Sequence, residues 1–339
     1  MTWLAWRQFR ASVATAAAAL AVLAVILAVT GPGLAHDYSR GIAACTGHSG
    51  GCSNFVREFF RQHRGAFVGV TIATLALPAL LGLFWGAPLI ARELEAGTHR
   101  LVWTQSVTRV RWLAAKLGLA GLGVVAVAGL ATLAVTVWSR PIDKTALDDP
   151  RMSPIVFAAR GIVPIGYAAF AFALGVTVGM LVRRTLPAMA ITLAVFVAVQ
   201  LAMPRLVRAH LIPPVRADVT ITASNLEMFA ARAPDGPVRV SARASDPGAW
   251  VLSSHTVDKS GHSVDTIPLS LAATECAPSK RGLAPSCFAK IARLGYRQRV
   301  TYQPASRFWA LQAYETAIFV GLALLLSGFS FWWLRRRLS

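Results

Sequence analysis

Acidic residues are scarce in this chain: 15 Asp and Glu stand against 34 Lys and Arg in 339 residues. Charged residues of both signs reach 14%, roughly half the share of an average soluble domain. With 55% hydrophobic residues and a mean hydropathy of +0.54, that scarcity excludes a disordered chain and an ordinary soluble enzyme. Catalytic patterns are missing too. None of the seven histidines falls in an apolar run, and neither H-E-x-x-H nor C-x-x-C occurs, which argues against an intramembrane metalloprotease. No G-x-x-x-x-G-K-[ST] occurs, so the chain lacks that phosphate cradle and no cofactor is expected in it. Gly47-His48-Ser49-Gly50-Gly51 matches G-x-S-x-G in letters. It lies in a Gly-rich loop between two cysteines, not at the strand-to-helix turn a nucleophile needs.

What is present is a set of six apolar runs, near residues 12–34, 66–90, 113–137, 161–181, 186–203 and 310–334. A helix needs about 20 residues to cross a bilayer core, so six crossings use about a third of the chain. The net charge of +19 then reads as arginines that set orientation and meet anionic headgroups, and no nucleic acid is expected. The first run has a rival reading as a cleaved signal peptide, with Gly33-Leu34-Ala35 as a loose cleavage site. Its apolar stretch of about 20 residues exceeds the usual signal core of roughly 7–15, which favours a retained span. Trp3, Trp6, Arg7 and Arg10 before it suit an interfacial anchor. Pro78 and Pro88 in the second run suggest a kink, and Gly175-Val176-Thr177-Val178-Gly179 in the fourth has the spacing that lets helix backbones approach closely.

Basic residues favour the side holding the N-terminus, the loop after the second run, Arg183-Arg184 and Arg335–Arg337. The positive-inside rule therefore predicts both termini inside. Cys45, Cys52, Cys276 and Cys287 all then fall outside, where disulfides form; free thiols are the alternative, and spacing does not fix connectivity. Residues 204–308 shift in composition: Val219-Thr220-Ile221-Thr222 and Val238-Arg239-Val240 alternate, and Pro234-Asp235-Gly236 and Asp246-Pro247-Gly248 are turn signals. A small strand-rich module is expected there. Glu315 is the exception among nearly charge-free spans; it reads either as a functional intramembrane carboxylate or as a shallow one facing Arg307 or headgroup water.

The polar block Ala91–Trp112, followed by Lys116, mixes both charge signs with Leu101, Val102 and Trp103, as an amphipathic partner-docking helix would; a solvated loop is the plain alternative. With Glu93, Glu95, Gly97, Thr98, Gln105, Ser106, Val107, Thr108, Arg109 and Lys116 in place, the chain resembles the permease subunit of ABC-2-type ABC transporters. The likeness is to the six-span subfamily common in actinobacteria. The stretch Val300–Trp309, Glu315 and the terminal arginines are similar to that subfamily too. Arg92 stands where many relatives carry a further acid, so either Glu93 or Glu95 is left to make the family contact.

The resemblance implies a coupling helix between spans two and three, seated in a cleft of a cytosolic ATP-binding subunit. Arg92, Glu93, Glu95, Gly97, Thr98, Gln105 and Arg109 would be its coupling residues, with ATP and magnesium held by that subunit and not by this chain. It further implies export and pairing of permease chains as homodimers or heterodimers. The expected fold is an all-α polytopic membrane protein of six transmembrane helices, with a small strand-containing extracellular insertion between helices 5 and 6. The expected divisions are residues 1–203 with a cytoplasmic coupling loop at 91–116, an extracellular module at 204–308, and a last helix with a basic tail at 309–339. The expected location is the cell membrane with both termini cytoplasmic, and no catalysis by this chain. A membrane sensor or scaffold, binding a ligand through the module, is the alternative.

Overall fold

The computed structural model describes residues 2–46, 52–97, 108–146, 149–231, 238–243, 246–268 and 284–337, except for the side chains of 2–13, 231, 285 and 337. The chain divides into two compact units, Met1–Arg208 with Trp309–Ser339, and Ala209–Phe308.

The first unit is helical: α1 (Thr2–Thr46), α2 (Ser53–Leu81), α3 (Ala87–Glu95), α4 (Arg109–Trp138), the short α5 (Arg140–Asp143) and α6 (Pro154–Ala158), α7 (Val163–Val182) and α8 (Thr185–Ala202). Six segments are long and apolar enough to cross a membrane: 14–46, 53–95, 109–138, 163–182, 185–211 and 305–336. Two of them carry a wide π turn, Gly82–Gly86 joining α2 to α3 and Met203–Arg208 following α8. Pro204 lies within the second and Pro88 two residues past the first, and neither can donate to the carbonyl four residues back.

Helix α7 forms the centre of the unit. Of its most apolar window 78% is buried, against 6% for that of α1. Glycines bring α7 onto the second span. A Cβ on Gly175 would lie 2.6 Å from the Gly82 carbonyl oxygen, and one on Gly179 would lie 2.5 Å from that of Ala87. Only glycine permits so close a backbone contact. Leu81, Ile90, Leu113, Val124, Val176 and Met180 fill the space around it.

The first two helices run well past their apolar runs. Tyr38, Ile42 and Cys45 continue one face of α1, and Phe55, Phe59, His63 and Phe67 recur at every fourth residue of α2. Tyr38 meets Phe59 edge-on with centroids 5.7 Å apart, Phe59 and Phe67 are buried, and a disulfide joins Cys45 to Cys52.

The second unit begins with α9 (Ala209–Leu211) and holds β1 (Val215–Thr220), β2 (Leu226–Ala231), β3 (Val238–Ala242), β4 (Trp250–Val257), β5 (Ser263–Val264), α10 (Pro285–Arg293) and β6 (Arg297–Gln303). The antiparallel order is β1-β6-β4-β5, with β2 and β3 as a separate hairpin. Its core is Ile221, Val238, Val240, Ile267, Cys287 and Ile291. The Asp246-Pro247-Gly248 signal is a turn with Gly248 at φ 89°, whereas Pro234-Asp235-Gly236 lies outside the described residues. The last spanning helix, α11, covers Phe308–Arg337.

Candidate functional site

Ionisable side chains gather at both ends of the helical unit. At the end holding Glu95, α3 stops in a left-handed glycine, Gly97 at φ 70°, a conformation that costs glycine nothing. Arg92 is exposed on its last turn. Glu93 accepts from the Lys116 ammonium of α4, a residue buried at 5% exposure, whose Nζ also lies 4.8 Å from the centroid of the Trp112 ring. Glu95 accepts from the Thr185 backbone N–H at 3.0 Å and from its hydroxyl at 2.7 Å, satisfying orphan donors at the start of α8. Thr108 caps α4 by accepting from the Arg111 N–H at 3.4 Å, and Arg109, half-buried, is its first residue. The two acids of the polar block, expected to face a partner, thus meet side chains of this chain first. Thr98, Gln105 and the rest of 98–107 lie outside the described residues, as does Gly47-His48-Ser49-Gly50-Gly51.

The other end holds a buried polar network. Glu315 of α11 is fully buried and takes Arg208 in two contacts, Nε–Oε2 at 2.6 Å and Nη2–Oε1 at 2.8 Å. The Tyr167 hydroxyl donates to Glu315 and accepts from Arg208 Nη2 at 3.1 Å. Arg208 Nη1 donates to the Pro154 carbonyl at 3.2 Å, and its guanidinium lies 4.2 Å from the Phe157 ring centroid. The expectation that Glu315 faces Arg307 or water is corrected. Arg307 donates to the Pro213 carbonyl and Gln303 Oε1 instead, because the π turn after α8 carries Arg208 inward beside the carboxylate.

Beside it, Arg160 is also fully buried. It binds Asp143 at 3.3 and 3.4 Å and donates to the Thr71 hydroxyl at 3.3 Å. Gln312 accepts from the Ile162 and Val163 N–H groups at 2.9 Å each and donates to the Phe157 carbonyl at 3.0 Å, so it caps α7 from α11. A charge buried at this depth persists only when paired and hydrogen-bonded, and each of these is. Arg160, Tyr167, Arg208 and Gln312 were not singled out from sequence. The available signal was Glu315 itself, since a buried carboxylate demands a cation, though nothing in the sequence distinguishes Arg208 from Arg205 just past the fifth run.

Cys45 and Cys52 are bonded to each other, and Cys287 is disulfide-bonded and buried; Cys276 lies outside the described residues. Arg160, Arg208 and Glu315 thus join spans two, four, five and six in one layer, while Glu93 and Glu95 join spans two, three and five at the opposite end.

No curated protein and no solved structure matches the chain. The family model described as "ABC-2 membrane transporter related" matches residues 17–208, more than half of the sequence and five of its six candidate spans. The chain therefore belongs to the ABC-2 membrane transporter related family and is a multi-pass membrane permease.

Proposed function

We propose that this permease is the membrane-spanning subunit of an ATP-driven exporter, powered by a cytosolic ATP-binding subunit docked on residues 91–116. Both termini and this docking segment face the cytosol, and residues 204–308 lie outside the cell. The observation that supports the reading is the pair of ties at the Glu95 end, Glu93 to Lys116 and Glu95 to Thr185. Force applied between α3 and α4 reaches the second, third and fifth spans together through these contacts. ATP and magnesium belong to the partner, and this chain contributes no catalytic group.

Mechanically, the central helix α7 bears on glycines of the second span, where backbones slide with few side chains to disengage. The ion pairs Arg208–Glu315 and Arg160–Asp143 hold the far ends of the helices together. Closure of the partner on ATP tilts the inner ends, and the far layer opens when those pairs part, which alternates access to a path among the spans. Two permease chains, identical or different, enclose that path. The outer location of Cys45 and Cys52 suits their bond, since disulfides persist on the oxidising face.

The decisive experiment is copurification of the candidate ATP-binding subunit with the full-length permease, followed by ATPase assays of the reconstituted pair. Glu95→Ala combined with Arg109→Ala is expected to weaken association about tenfold or more, the scale of one dominant interface contact. Unchanged association and transport would sink the assignment of these residues. Labelling of residues 92–111 from outside intact cells by an impermeant reagent would overturn the orientation.

A further inference from the structure

Helix α1 leaves an apolar groove against α4, and the groove has a chemically distinct end. It has a volume of about 990 Å³ and is walled by Leu20, Leu27 and Gly31 on one side and Leu130, Val137 and Trp138 on the other. Along α1 it runs from Leu20 to Ala35, about 22 Å at 1.5 Å per residue. One leaflet of the hydrocarbon core is about 15 Å deep, so an acyl chain can lie lengthwise within it. The polar side-chain group among the lining residues, the Trp138 indole N–H, is already committed: it donates to the Thr30 hydroxyl at 2.9 Å. The walls therefore offer hydrocarbon and nothing that would hold a polar solute.

The end near Ala35 and Pro141 is cationic. Arg140, exposed, directly precedes the groove-lining Pro141. Lys144, also exposed, sits with Nζ 5.7 Å from the ring centroid of Tyr38, three residues beyond Ala35 on α1. Among the described residues no carboxylate lies within ion-pair distance of either. The nearby Asp143 is committed to Arg160 and to the Ser139 hydroxyl.

We propose that this groove is a binding site for one anionic phospholipid of the bilayer, its acyl chain along α1 and its phosphate against Arg140 and Lys144. An apolar trough of leaflet depth that ends in two exposed cations, with no carboxylate partner among the described residues, is complementary to such a lipid, and a zwitterionic lipid would meet the same cations with its charge already balanced. The site does not depend on the transport reading, since a permease of any mechanism would retain the lipid. Its effect is to fill the space beside a helix that the rest of the chain barely covers.

The test is native mass spectrometry of the full-length protein in detergent, titrated with phosphatidylglycerol or phosphatidylcholine of identical chains. Wild type is expected to retain phosphatidylglycerol preferentially. Arg140→Gln with Lys144→Gln is expected to reduce that preference by about fivefold or more, the scale of the attraction of one surface cation to anionic lipid. Ala24→Phe, which fills the trough and leaves the cations in place, is expected to reduce retention of both lipids. Equal retention of the two lipids by wild type, or unaltered retention by Ala24→Phe, would overturn the proposal. A benzophenone residue at position 28 gives an independent readout in cells: a lipid adduct supports the site, and a crosslink to a second copy of the chain means that a helix occupies the groove instead.

Discussion

Arg208 and Glu315, 107 positions apart in sequence, meet in a two-pronged buried ion pair, with the Tyr167 hydroxyl closing a triangle between them. The pair fastens the end of the fifth span to the sixth. Removing one partner leaves an uncompensated charge away from water, which costs about 3–5 kcal/mol. Glu315→Gln is therefore expected to lower the thermal unfolding midpoint of the purified protein sharply. Glu315→Leu with Arg208→Met is expected to recover much of the loss, because desolvation of both ions is then avoided. A double-mutant cycle by thermal unfolding in detergent checks this. Additive losses would show that the two side chains act independently.

Glu95 supports α8 from a different helix. The contact is solvent-exposed and satisfies donors at a helix start, so Glu95→Ala and Thr185→Ala are each expected to destabilise only modestly. If the contact also carries force between spans, both variants will depress partner-stimulated ATPase activity far more than they depress stability. Parallel measurement of unfolding and turnover separates the two effects. Turnover that tracks stability alone would reduce Glu95 to a structural cap.

Gly175 and Gly179 set the distance between α7 and the second span. A methyl at either position would meet a carbonyl oxygen of the facing backbone at 2.6 or 2.5 Å, which forces the helices apart. Overpacking of this kind costs about 1–3 kcal/mol per site. Gly179→Ala is expected to lower the unfolding midpoint, and Gly175→Ala with Gly179→Ala to yield polydisperse protein on gel filtration. By contrast, Gly118→Ala, where nothing lies within 4 Å, is expected to be silent.

In the strand-bearing unit, Asp218 and Arg299 sit opposite each other on β1 and β6, joined at 2.9 and 3.0 Å. The guanidinium hydrogen bonds hold the Asp218 carboxyl below its usual value. Its folded value is thus lower than its unfolded one of about 3.9. The contribution is present above about pH 4 and is lost as pH falls through the folded value, so nothing changes between pH 7 and 5 on account of this group. Pepsin digestion of the full-length protein at graded pH is expected to show the strand region opening at higher pH in Asp218→Asn than in wild type. Because the pair is partly exposed, the shift will be small and will shrink with added salt.

The six crossings and the strand region were legible because lipid demands long apolar runs and turns demand Pro, Gly and Asp. The lengths of α1 and α2 were not: Tyr38, Phe55 and Phe59 mark helical faces outside the lipid-soluble stretch, and hydropathy registers the stretch and not the face. Of the candidate site, Glu315 stood out as a charge in an apolar run. Its partner did not, because Arg208 reaches it only through a π turn, and hydrophobic periodicity carries no trace of one extra residue in a turn. Likewise Glu93 and Glu95 were recognisable as a motif, whereas the intrachain destinations of their carboxylates follow from helix packing between residues 23 and 90 positions apart.

The π turn at Gly82–Gly86 stores one surplus residue in the middle of a membrane helix. That surplus sets the stretch after it about 100°, one residue of twist, away from where an unbroken α-helix would carry it. The offset decides which face of Ala87–Glu95 looks toward α4, and Glu93 meets Lys116 on that face. A straight helix of the same sequence would aim the carboxylate elsewhere.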